Sequence, residues 1–147
     1  MVNLKVLFQS LCVDNRSWDE KLTGDIQKQW SNLISEVEFI SGKVRISRCY
    51  FVEKSEGSIR LHGFCDASGK VYSAVVYMQI VHEDHVEVVF VCAKSKVAPL
   101  KAQTIPRLEL LVALLLAMLL DSVIKELKGK CSIENVHCWT DSMTVLC

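Results

Sequence analysis

"FCDASGKVYSAVVY", residues 64–77, sets the terms for the chain around it. Apolar and small residues lead into Asp66, Ala-Ser-Gly follows, and a second apolar run begins at Val71. An acid at the exposed end of a buried strand is either a turn residue closing a hairpin or one arm of a metal site. The neighbouring segments have to separate the two.

"SIRLHGFCDAS" predicts a first strand that ends at Asp66. "KVYSAVVYMQIV" and "HVEVVFVCAKSKV" predict two more, joined by the polar turn "HEDH". Connections this short make the three an antiparallel meander. "APLKAQTIPRLELLVALLLAMLLDSVIKELKGK" then predicts a long helix. Thr104 can cap it, Pro106 suits its first turn, Glu109 falls near its N-terminus, and Lys128, Gly129 and Lys130 end it. Its middle is apolar all round, which predicts a central, covered helix. "ENVHCWTDS" predicts a fourth strand ending at Asp141, reached by a crossover and therefore parallel to the first. "SMTVLC" opens another helix as the chain stops. The expected fold is α/β: a mixed sheet of three antiparallel strands, a crossover helix and a fourth parallel strand, incomplete at the C-terminus, with an N-terminal helical arm.

Residues 1–58 read differently and are expected to form a connecting segment, with 59–147 as the sheet domain. Trp18, Leu22, Ile26, Trp30, Leu33, Ile34 and Val37 make a helical stripe about 20 residues long, with Gly42 shortly after its end. Trp18 and Trp30 are the expected packing anchors. "KVRISRCYFVEKSEGSIR" predicts an extended arm turning at "KSEGS".

Composition narrows the function classes. At 147 residues the chain is one domain's worth, and half of it is hydrophobic, which excludes a disordered chain. Lys+Arg and Asp+Glu both number 17, so an attraction to nucleic acid or membrane has to rest on local patches. The seven cysteines are odd in number and lack a C-x-x-C pair; several sit in apolar strand-like runs, among them Cys65, Cys92 and Cys138. Buried reduced thiols in an intracellular protein, cytoplasmic or nuclear and not secreted, are expected. No signal peptide is visible, and the longest apolar run, residues 110–120, is too short for a membrane span of about 20 residues.

Asp66 ends strand one, Asp141 ends strand four, and Glu109 lies in the first turn of the helix between them. In a right-handed crossover the two strands can be neighbours with their C-terminal ends on one edge, and the helix can present Glu109 to it. Three carboxylates at one point repel unless a cation holds them, and an oxygen-only set suits Mg²⁺ or Mn²⁺. Each acid alone has an ordinary reading: a turn residue, a first-turn helix acid, a residue beside an N-cap. Their order is the specific feature.

"LHGFCDASGKVYSAVVY", "AKSKVAPLKAQTIPRLELLVALLLA" and "VHCWTDSMTVL" resemble the ribonuclease H-like region of Pao/BEL-type retrotransposon pol polyproteins. The likeness runs from about residue 45 to the end, and "WDEKL", "QWSNLI" and "RCYF" resemble the segment joining reverse transcriptase to that region. The resemblance implies a ribonuclease H-like mixed sheet, two divalent metals, and hydrolysis of the RNA strand of an RNA–DNA hybrid during reverse transcription. Position by position, it puts the metal-binding and catalytic acids on Asp66, Glu109 and Asp141. Implied partners are the hybrid or another nucleic acid, and the reverse transcriptase, protease and integrase regions of a parent polyprotein; no membrane is implied.

The pattern departs at its end. Relatives continue past "TDS" with a further acid, while this chain stops at Cys147. The expectation is a retroelement fragment that is inactive or nearly so. The alternative is a non-catalytic nucleic-acid-binding or interaction remnant. Lys94, Lys96, Lys101 and Arg107 are candidate phosphate contacts, or else a solvated loop. Ser68 is a candidate backbone contact or a turn residue. Trp139 is expected in the core, and the four histidines show no shared spacing.

Overall fold

Alternation decides the first strand. In β1 (Ser58–Ala67), Ile59, Leu61, Gly63 and Cys65 are buried, while Phe64 and Asp66, on the other face, are exposed. The structure is a computed structural model that describes residues 2–14, 17–46 and 58–146. It divides into two compact units, Met1–Ile46 and Ser47–Cys147.

In the larger unit, β2 (Val71–Val81) runs antiparallel to β1 and buries Tyr72, Ala74, Val76, Met78 and Ile80 on the same side. The chain turns at His82, whose amide donates to the carbonyl of His85 at 2.9 Å. β3 (Val86–Val97) then pairs antiparallel with β2. Val76 is opposite Cys92 but Tyr77 is opposite Phe90, so Val91 is the extra residue of a bulge.

α3 (Ile105–Leu127) starts where Thr104, still extended, passes its carbonyl to the amide of Leu108 at 3.1 Å. Pro106 sits in the first turn, where its missing amide costs nothing. Beyond the helix Gly129 takes φ +81°, a conformation that favours glycine. Leu108, Val112, Leu115, Leu116, Leu120 and Val123 form the buried stripe of α3, packed on β1 and β2 in one core. β4 (Ile133–Trp139) returns parallel to β1, giving the strand order β3-β2-β1-β4, and α4 (Met143–Leu146) follows. The sheet is thus mixed, with three antiparallel strands and one parallel, as the sequence predicts.

α3 differs from expectation on one side. Leu110, Leu114 and Met118 are 52%, 57% and 60% exposed, although the run around them is apolar throughout. A helix lying on one sheet face hides only the stripe that points down, and these three share the opposite face at four-residue spacing.

The smaller unit holds α1 (Val2–Val13), which the periodicity reading did not identify, and α2 (Gly24–Ser41), which ends at Gly42. Phe8 meets Trp30 edge-on, with ring centroids 5.9 Å apart, so Trp30 does anchor packing. Trp18 does not. It lies before the start of α2 and is 93% exposed. The expected extended arm and its "KSEGS" turn fall almost wholly on residues 47–57, outside the described residues.

Candidate functional site

Parallel pairing of β1 with β4 runs to Phe64 opposite Trp139. Asp66 and Asp141 each stand two residues beyond that pair, so they occupy one level at the C-terminal edge of adjacent strands. Both are exposed. Cys65 lies between the strands, with Sγ 3.8 Å from the Trp139 carbonyl. Burial pushes its thiol up, a hydrogen bond with Thr140 pulls it back, and negative charge at Cys138, Asp141 and Asp66 adds to the upward push.

Glu109 reaches the same end of the sheet from α3. Ser142 donates from Oγ to Glu109 Oε2 at 2.8 Å, and its amide donates to Thr140 Oγ1 at 3.2 Å. Its carbonyl accepts from the amides of Val145 and Leu146, which starts α4. Ser142 is 4% exposed, the one buried polar side chain among the described residues. The third acid is therefore tied to the residue that follows Asp141.

This donor set suits a hard divalent cation in type, being all carboxylate, and Asp66 and Asp141 share a level along the sheet. The side chains are not drawn into one cluster: among the described residues no group of three or more His, Cys, Asp or Glu could hold a metal ion. Strand alternation gives the reason. Asp66 shares its parity with His62 and Phe64, on the face turned away from α3, whereas Glu109 comes from the α3 side and is held by Ser142.

The Pao retrotransposon-like RNaseH-like domain family matches over residues 1–142, a span that includes Asp66, Glu109, Asp141 and Ser142. The chain belongs to that family. No curated protein matches it. As a Pao RNaseH-like domain it falls in a group that generally uses divalent metals. The match also spans both compact units.

The remaining candidates are scattered around this edge of the Pao domain. Lys94 and Lys96 lie on β3 opposite Ala74 and Tyr72, exposed; Lys101 is in the loop before α3 and Arg107 in its first turn, also exposed. Ser68 makes the β1–β2 turn: its Oγ donates to the Val71 carbonyl at 2.9 Å and accepts from the Val71 amide at 3.2 Å.

Three expectations change. Trp139 is not core: it is 52% exposed and stacks on Phe64, centroids 6.2 Å apart, on the sheet face away from α3. Cys138 is exposed because β4 is an edge strand beyond the cover of α3. Two of the histidines do share a position: His62 and His137 are cross-strand partners with rings stacked at 5.0 Å, and His62 Nε2 pairs with Gln79 Oε1 at 2.9 Å. The contribution of Ser142 was missed. Its signal was its place directly after a strand-end acid, ahead of a helix start.

Proposed function

We propose that this domain carries the ribonuclease H reaction, divalent-metal-dependent hydrolysis of the RNA strand of an RNA–DNA hybrid, with Asp66, Glu109 and Asp141 as metal-binding and catalytic residues. The observation that supports it most is the common level of Asp66 and Asp141 on adjacent parallel strands, with Glu109 bound to Ser142 beside them. Mg²⁺ or Mn²⁺, two ions in a complete site, would neutralise charge on the scissile phosphodiester and activate the attacking water. The chain's own part is to hold carboxylates at one strand edge and offer open space above exposed Asp66 and Asp141 for a phosphate backbone. Lys94, Lys96, Lys101 and Arg107 supply cations for flanking phosphates, and Ser68 a hydroxyl.

Turnover by residues 1–147 is expected to be slow, because the three acids are not gathered into one cluster. Residues 1–58 serve as the segment that connects this domain, 59–147, to a reverse transcriptase region. Protease and integrase regions complete the proposed polyprotein, and the setting is intracellular, cytoplasmic or nuclear. Among the described residues no helix is long and apolar enough to cross a membrane. A labelled hybrid incubated with Mn²⁺ tests the reading: weak cutting that Asp66→Asn abolishes supports it, and cutting indifferent to Asp66→Asn removes it.

The ungathered acids favour a second reading, a non-catalytic nucleic-acid-binding remnant. It requires salt-dependent hybrid binding that survives Asp66→Asn. Absence of binding at low salt excludes it.

A further inference from the structure

A helix lying on a sheet ordinarily turns charged and polar side chains to water. The outward face of α3 does so only at its ends. Arg107 is exposed in the first turn, and Asp121, Ser122 and Lys125 are exposed toward the C-terminus. Between them stand Leu110, Leu114 and Met118, each more than half exposed. The apolar stripe is therefore short, and it is closed by a positive charge at one end and a negative charge at the other.

Spacing lines these residues up. Arg107, Leu114 and Asp121 are seven residues apart, and Leu110 and Met118 lie four residues on either side of Leu114. At about 3.6 residues per turn, all five point within about 40° of the Leu114 direction. That is the seam of a two-helix contact. An antiparallel copy of α3 centred on Leu114 sets Leu114 against Leu114, Leu110 against Met118, and Arg107 against Asp121. Charges then match at both ends. A parallel copy sets Arg107 against Arg107 and Asp121 against Asp121, so charge selects the antiparallel pair. Lys125 Nζ already bonds Asp121 Oδ2 at 2.7 Å, which leaves Oδ1 to accept from a guanidinium.

We propose that the outward face of α3 is an interaction surface for a second copy of this chain, joined across a two-fold axis as an antiparallel α3 pair. Three apolar side chains from each copy cover less than the about 800 Å² per partner of a standard interface, so association is weak, with a Kd on the order of 100 µM. In dilute solution the chain is then monomeric and Leu114 stays exposed. Arg107 is also a candidate phosphate contact, so a bound hybrid and the second copy compete for it.

Sedimentation equilibrium of the 147-residue chain between about 10 µM and 1 mM tests this, with a reductant to prevent disulfides between exposed Cys12 and Cys138. The parent is expected to pass from monomer to dimer across that range. Leu114→Glu sets two carboxylates face to face on the two-fold axis and is expected to abolish the dimer. Arg107→Asp and Asp121→Arg are each expected to weaken association about tenfold, because symmetry makes both end pairs repulsive. Mixed in equal amounts, those two variants are expected to associate again, because every end pair then joins Asp to Arg. Circular dichroism checks that each variant keeps the fold, and if Leu114→Glu does not, the charge variants decide alone. A parent still monomeric at the highest concentration overturns the proposal. So does a dimer that survives Leu114→Glu, or a pair of charge variants that associate no better mixed than alone.

Discussion

Gly63 of β1 lies against Leu116 of α3 so closely that a Cβ at Gly63 would stand 2.6 Å from Leu116 Cδ1 and 3.2 Å from Leu120 Cδ1. Both leucines are core residues, 3% and 5% exposed, with little room to turn aside. The missing side chain therefore sets how near the crossover helix lies to the strand that carries Asp66. Gly63→Ala is expected to destabilise the domain by about 1–3 kcal/mol, the usual cost of overpacking. Urea denaturation checks this, and an unchanged midpoint would mean that the helix has slack.

The two sides of α3 should respond oppositely to substitution. Leu115, 5% exposed, faces the core, and Leu114 beside it is 57% exposed. Leu115→Ala is expected to cost about 2–5 kcal/mol through lost burial and the cavity left behind. Leu114→Gln should stay within about 0.5 kcal/mol of the parent. Thermal or chemical melts of the pair distinguish a helix lying on a sheet from one enclosed all round.

These exposures show where sequence reading stops. Period-two alternation, the "HEDH" turn and the Pro106 start made the strands and α3 legible, because each is a local signal. Coverage is not local. The run at 110–120 looks fully buried because every residue is apolar, yet only one side of the helix, the stripe that includes Val112, Leu115, Leu116 and Leu120, is buried against the sheet. Trp139 misled for the same reason: an aromatic in a strand-like run reads as core, but the face it lies on is open among the described residues. α1 escaped because "VNLKVLFQSLCV" carries neither a first-turn acid nor a last-turn base to mark its ends. The placement of Asp66 and Asp141 at one end of adjacent strands was legible from the order of the elements. That Glu109 is bound to Ser142, and that Asp66 and Glu109 approach from opposite sides of the sheet, needed three dimensions.

Thiol chemistry follows burial. The Cys65 thiol is pushed up, chiefly by burial, and burial also pushes up Cys92 and Cys131, whereas Cys12 and Cys138 are exposed. Maleimide labelling at pH 8 should modify Cys12 and Cys138 first and reach Cys65 only on unfolding. The folded state keeps the Cys65 proton that the unfolded chain releases near 9.0, its ordinary value. Stability should therefore be unaffected by this group below that range and fall as pH rises through it. Denaturation midpoints between pH 7 and 10, with Cys65→Ala as the control whose fall should be shallower because only Cys92 and Cys131 remain raised, check the sign.

Charge on the β3–α3 side gives a prediction for nucleic acid. If Lys94, Lys96, Lys101 and Arg107 neutralise phosphates, replacing Lys94 and Lys96 by Gln should weaken hybrid binding at low salt. It should also make the slope of log K against log salt shallower, by nearly one for each phosphate no longer neutralised. Fluorescence anisotropy at several salt concentrations measures this. An unaltered slope would assign these lysines to a solvated surface.

The most direct test of the account is Mn²⁺ binding to the whole chain, followed by calorimetry, for the parent and for Asp66→Asn and Asp141→Asn. Removing either carboxylate charge is expected to reduce affinity at least tenfold while the fold is kept, because both acids stand at one level of the parallel strand pair. Equal affinity in all three proteins, or no binding to the parent at millimolar Mn²⁺, would contradict a metal centre at this edge of the sheet.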